Sequence, residues 1–167
     1  MFNGHVNKRG SLEDLFVIGL FIFFFAMLIL VGYKIIDSFN TEIQASEVLE
    51  QHGKDASAEL TSFFPGVIDN SFLFFVVGLG LVTFVSAALV RVHPIFIGVY
   101  LVCLVFTIYF CGVFSNVYEA MASSSVLVGL STNLVFVGSV MSFLPLIVGV
   151  FGSLLAIVMY KGWRETE

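Results

Sequence analysis

Charge is what this sequence has least of. Only 11% of the 167 residues are Asp, Glu, Lys or Arg, against about 25% in an ordinary soluble domain, and that shortage excludes a water-soluble globule. Basic residues are scarcest: seven Lys and Arg stand against twelve Asp and Glu, a net charge of −5. The one adjacent basic pair is Lys8-Arg9, whereas a phosphate-binding surface needs clustered cations to displace counterions. The expectation is therefore no nucleic-acid partner. Proline occurs three times, and no low-complexity linker divides the chain. Two cysteines, Cys103 and Cys111, share one apolar run and lie about 12 Å apart along a helix axis. That is too far to bridge, so they read as small apolar packing residues.

What is present is apolar. Hydrophobic residues make up 59% of the chain, with 20 Phe, and the mean hydropathy is +1.04. This composition predicts an all-α membrane protein, a single four-span transmembrane bundle over residues 1–167. Charges mark the spans. Leu15 to Tyr33 is an uncharged run between Asp14 and Lys34, close to the roughly 20 residues a spanning helix needs. Ser11 and Asp14 form a capping signal before it. The run is longer than a signal-peptide core of about 7–15 residues and lacks an A-x-A-like site, so it reads as an uncleaved signal anchor.

Asn70 to Val90 is the second uncharged run, expected to be capped by Asp69, Asn70 or Ser71 and preceded by a turn at Phe64-Pro65-Gly66. Arg91-Val92-His93-Pro94 then reads as a tight hairpin, because proline favours the first turn of a helix and disfavours a helical residue before it. The third span is expected from about Ile95 to Ser115. Between Glu119 and Lys161 no residue is charged, yet residues 124–137 are rich in Ser, Thr and Asn. Non-helical backbone exposed to lipid is costly, so 124–137 is expected to form an interfacial or re-entrant helix and 138–160 a continuous fourth span.

Orientation follows from the cations. With a cytoplasmic N-terminus, four spans leave Lys8, Arg9, Arg91, Lys161 and Arg164 inside and Lys34 and Lys54 outside, in keeping with the cytoplasmic enrichment of Lys and Arg. Both termini are expected in the cytoplasm, with Tyr33, Tyr160 and Trp163 at the interfaces.

The longest polar stretch, residues 37–69, holds seven acids: Asp37, Glu42, Glu47, Glu50, Asp55, Glu59 and Asp69. Ile35, Phe39 and Ile43 recur at four-residue spacing, so the first helix is expected to continue out of the bilayer to about Gln51. Gly53 reads as its stop, and Asp55 as the cap of a short helix through Leu60. Calcium needs six to eight converging oxygens, which acids spread this widely do not supply. The projection instead reads as a partner-contact surface, with Ile43, Val48 and Leu49 as apolar residues lacking intramolecular cover.

Chemistry is hard to find. None of the four runs contains Asp, Glu, Lys, Arg or His, the groups whose burial cost marks function inside a membrane. His5, His52 and His93 lack metal-ligand spacing. No nucleophile motif or P-loop occurs, and Gly78-Leu79-Gly80 lies in an apolar run, where small residues serve packing. The expectations are no enzyme activity, no cofactor, no metal and no small-molecule substrate. Pro145, Gly149 and Ser153 at four-residue spacing, with Gly152 and Ala156, predict a helix-packing face. Glu119, beside Asn116 and Tyr118, reads as a carboxylate at a helix end facing headgroups, with a small polar site as its sharper reading.

The pattern Arg91-Val92-His93-Pro94-Ile95-Phe96, followed by Ser115-Asn116-Val117-Tyr118-Glu119, resembles small integral membrane proteins of membrane-containing tailless icosahedral bacteriophages. The resemblance covers the second to fourth spans, about half the chain. It implies a protein of the virion's internal membrane in contact with capsid components, and it transfers no catalytic residue. The leading expectation is a structural membrane protein that assembles with itself or with other membrane or capsid proteins, in the bacterial cytoplasmic membrane or the virion membrane. Its rivals are a pore or permease-like protein, including a phage lysis protein, and an accessory subunit of a membrane enzyme.

Overall fold

The computed structural model describes residues 12–89 and 94–164. Those residues form α1 (Leu12–Ala45), α2 (Gln51–Leu89), α3 (Pro94–Ala122), α4 (Val128–Ser131), α5 (Val135–Ser142) and α6 (Leu144–Arg164), with no strand among them. The Ser11 cap, the basic pair Lys8-Arg9 and the turn at Arg91-Val92-His93 lie outside the described residues. Three helices are long and apolar enough to cross a membrane, within Leu15–Ala45, Gln51–Ala87 and Ile97–Ala122. The pair α5 and α6, bent by 64°, supplies a fourth if counted as one span.

Packing is most extensive between α3 and α6, then between α1 and its neighbours α2 and α3. Lipid tails are as apolar as Leu, so close contact has to supply what the hydrophobic effect supplies in water. On α1, Ala26 and Leu30 are completely enclosed. Phe23 stacks on Phe114 of α3 with ring centroids 4.9 Å apart, and Phe16 meets Phe110 edge-on at 5.6 Å. Gly19 lets the two helices come this close, since a Cβ there would lie 2.9 Å from Cys111 Sγ.

Several expectations need correction. α1 stops at Ala45 rather than near Gln51 because its end is tied to the chain coming back. The Lys54 ammonium donates to Gln44 O at 3.0 Å and the Gln44 amide donates to Lys54 O at 2.7 Å, which satisfies a terminal carbonyl with a cation, as a helix C-terminus favours. Gly53 is no stop, and Asp55 caps no separate helix: both lie inside α2, which runs without a break through Pro65. A proline inside a helix costs about 3 kcal/mol. Antiparallel packing against α1 outweighs that cost here, with Tyr33 stacked on Phe64 at 5.7 Å and Phe25 on Phe72 at 6.0 Å on either side of the proline.

The third span reaches Ala122, so Glu119 is a helical residue. Residues 124–137 form no single helix, and the fourth span is not continuous. Turns lead into the one-turn α4, α5 begins at Val135, and Phe143 ends it in the bridge region at φ −98°, ψ 8°. Pro145 explains the break: with no N–H and with its ring directed at the carbonyl four residues back, it cannot continue α5, yet it suits the first turn of a new helix.

Candidate functional site

Asp69 is the residue whose position the sequence conceals most. The ring contacts of Tyr33 with Phe64 and of Phe25 with Phe72 set the antiparallel register of α1 and α2. The same register puts Asp69 opposite Leu28, five residues, or about 8 Å, inside Tyr33. Asp69 therefore lies within the uncharged stretch of α1 rather than at its edge, and it is 5% exposed. Both carboxylate oxygens accept backbone hydrogen bonds from the start of α5, one from Phe136 N–H at 2.8 Å and one from Val137 N–H at 2.7 Å. Leu134, at the N-cap position, offers no side-chain acceptor. A carboxylate on α2 thus caps α5 from outside, supplying orphan amides and complementing the positive end of the helix dipole.

Around Asp69 the ends of the helices form a polar layer. The Asn133 amide donates to the Tyr33 hydroxyl at 3.2 Å, tying the segment after α4 to α1. Tyr118 on α3 is 3% exposed, and its hydroxyl has no hydrogen-bond partner, which no other enclosed side-chain polar atom among the described residues shares. Beside it lies a cavity of about 240 Å³ lined by Tyr118, Glu119, Ala122, Ser131, Thr132, Gly138 and Ser142. A second cavity of similar size is almost wholly apolar and opens between α1, α2 and α6 at Ile18, Val76, Gly80 and Phe151; acyl chains suit such a lining. Among the described residues no three His, Cys, Asp or Glu side chains group to hold a metal.

The proposed contact residues sit on a helical hairpin made by the end of α1 and the start of α2. Ser57 Oγ donates to Asn40 Oδ1 at 2.9 Å across it. Val48 and Leu49 lie in the turn at its tip, 93% and 45% exposed, while Ile43 is half-buried on its flank. Further down, Ile35 and Phe39 on α1 and Leu60, Phe63 and Val67 on α2 are also exposed. Lys34 pairs with Asp37 at 3.4 Å and Lys54 is turned to Gln44, so the remaining acids of the hairpin carry no ion pair among the described residues.

On α6 the predicted packing row divides. Gly152 is buried against α3 and α1: an added Cβ would collide with Leu104 and come within 3.2 Å of Leu15, and Tyr100 on α3 donates to Gly152 O at 2.9 Å. Gly149 faces Ile108, which a Cβ added to the glycine would meet at 3.4 Å, Pro145 approaches Gly112, and Ala156 is buried. Ser153 is exposed and returns its hydroxyl to Gly149 O at 2.7 Å. The enclosed face is instead the row Leu144, Val148, Gly152, Leu155 and Ala156.

Sequence reasoning named Glu119 and Tyr118 together but missed Asp69 as a buried group, having placed it at the opening of a span. Comparison with protein-family models, with curated proteins and with solved structures gives no match.

Proposed function

We propose that this protein is a structural membrane protein without enzymatic activity, a four-span bundle with both termini cytoplasmic, which holds an acidic helical hairpin as a docking arm for a basic protein surface and so organises a membrane such as that inside a virion. The observation that carries this reading is the tip of the arm. Val48 is 93% exposed and Leu49 45%, on a segment with six acids and two lysines between Lys34 and Leu60, both lysines already engaged within the arm. The arm extends about 16 Å beyond Lys34 along α1. Apolar groups at such a tip remain wet until a partner covers them, and the surrounding carboxylates steer a basic partner more than they strengthen the final complex. Inside the bundle, Thr83 and Thr107 give their hydroxyls to Leu79 O and Cys103 O of their own helices, which suits a packed anchor rather than an aqueous path.

A photo-crosslinker in place of Val48, activated in native membranes or particles, tests the reading. The expected product is an adduct with one basic protein, lost when Leu49→Ser is added and formed more slowly at high salt. Adducts with lipid alone, or reproducible single-channel currents from the purified protein, would overturn it.

One observation favours a second reading, a permease-like protein. A carboxylate set among uncharged helices at the start of a broken span is an arrangement that ion and solute pathways also use. Flux in liposomes that is lost on Asp69→Asn would select it.

A further inference from the structure

The cavity beside Tyr118 has chemistry of one kind. Every polar group that lines it other than Tyr118 is an acceptor or a free hydroxyl, and no Lys, Arg or His borders it. Glu119 has no ion-pair partner among the described residues. Ser131 Oγ gives its proton to the carbonyl oxygens of Ala122 and Val128, both 3.1 Å away, and Thr132 Oγ1 donates to Gly129 O at 3.0 Å. With their protons committed, these hydroxyls present only lone pairs. An anion would meet the Glu119 carboxylate with no cation to offset it, and only the Tyr118 and Ser142 hydroxyls left to donate.

The Tyr118 hydroxyl is an independent sign that something belongs there. It is 3% exposed and unpartnered, whereas the large majority of buried polar side-chain atoms find a partner in protein or water. A metal ion does not fit the donor set, since a hard cation needs several converging oxygens and Glu119 is the only carboxylate lining the cavity. A primary ammonium does fit: it has three donors to distribute among the carboxylate and the hydroxyl oxygens. Gly138 leaves room for it, because a Cβ added there meets no atom within 4 Å. The cavity also lies where α3 ends and the Ser- and Thr-rich segment begins, at the depth where apolar helix gives way to polar chain.

We infer that this cavity binds a primary ammonium group, with the Glu119 carboxylate as counter-ion, Ser131 and Thr132 as acceptors and Tyr118 closing the floor. Such a group comes either from an ethanolamine lipid headgroup or from a free amine. The inference does not depend on the docking arm, which lies on other residues.

The test is thermal melting of the full chain, followed by Trp163 fluorescence, in nanodiscs of phosphatidylcholine and phosphatidylglycerol at 3:1. It is repeated with phosphatidylethanolamine replacing phosphatidylcholine, and separately with ethanolammonium chloride or an equal concentration of sodium chloride added to the first discs. A ligand that binds only the folded state raises the midpoint, here by about 3 °C. A rise in ethanolamine-lipid discs alone assigns the headgroup as source; a rise with added ethanolammonium as well shows that the free amine suffices. Glu119→Gln removes the counter-ion at an exposed position with no ion pair among the described residues, and Gly138→Leu fills the cavity, so both variants should lose the rise while melting like the parent in phosphatidylcholine discs. No rise in either arm, an equal rise with sodium, or a rise kept by both variants overturns the proposal.

Discussion

Replacing Asp69 by Ala should be the most damaging single polar change in the bundle. The carboxylate accepts two backbone N–H groups, the part-buried one of Phe136 at 2.8 Å and the buried one of Val137 at 2.7 Å, and hydrogen bonds to charged groups contribute about 1.5–3 kcal/mol each. Removing the side chain also leaves the buried Val137 amide without its acceptor. Allowing for partial relaxation of α5, the loss is about 4 kcal/mol, or a fall in melting midpoint of about 10 °C for a chain of this length. Asp69→Asn keeps one acceptor oxygen and should lose about half as much. Asp55→Ala, on the exposed arm, should stay within about 0.5 kcal/mol of the parent. The assay is thermal melting in detergent, paired with hydrogen exchange at the amides of residues 136 and 137, which should speed up in Asp69→Ala and less so in Asp69→Asn. An Ala variant that melts within about 1 °C of the parent, or an Asn variant less stable than the Ala variant, would refute the cap.

Gly152→Val should destabilise by about 2 kcal/mol through overpacking against Leu104 and Leu15, while Gly98→Ala, whose Cβ meets nothing within 4 Å, should be neutral; melting curves separate them. Gly149→Leu drives a long side chain at Ile108 and should lower the midpoint too, whereas Ser153→Ala should not. Val48→Ser with Leu49→Ser should leave melting and membrane insertion unchanged but remove the Val48-region contact with a basic partner, read by co-sedimentation with native particles. In a background lacking Cys103 and Cys111, a single cysteine at Leu49 should react with an impermeant reagent from the face opposite to one at Lys161; labelling of both from one side would refute the four-span arrangement.

How far the chain announces itself differs from element to element. The uncharged runs fix the all-helical class and the membrane-length helices, because excluding charge over about 20 residues leaves a helix in lipid as the economical solution. The acidic stretch and its apolar tip residues are equally plain in the letters. Pro65 and Pro145 drew attention too, yet identical chemistry had opposite outcomes. Pro65 lies where α1 offers a continuous antiparallel partner, with the stacked pairs Tyr33–Phe64 and Phe25–Phe72 on either side of it, and α2 continues through it unbroken. Pro145 lies where the chain is pulled two ways, with the start of α5 held by Asp69 and α6 packed along α3, so the helix divides by 64°. The missing N–H of Pro145 permitted that break, but Pro65 shows that the surrounding packing decides whether a proline divides a helix.

The composition and the order of charges determined that this is a helical membrane bundle with an acidic arm. Tertiary structure alone decided the depth of Asp69 and the isolation of the Tyr118 hydroxyl. Both depend on how far α2 and α3 slide against their neighbours, a register set by ring stacking and by close approach at Gly19 and not by any residue's own preference. A shift of five residues moves a carboxylate from the rim of an uncharged run to its interior, and the letters on either side of it stay the same.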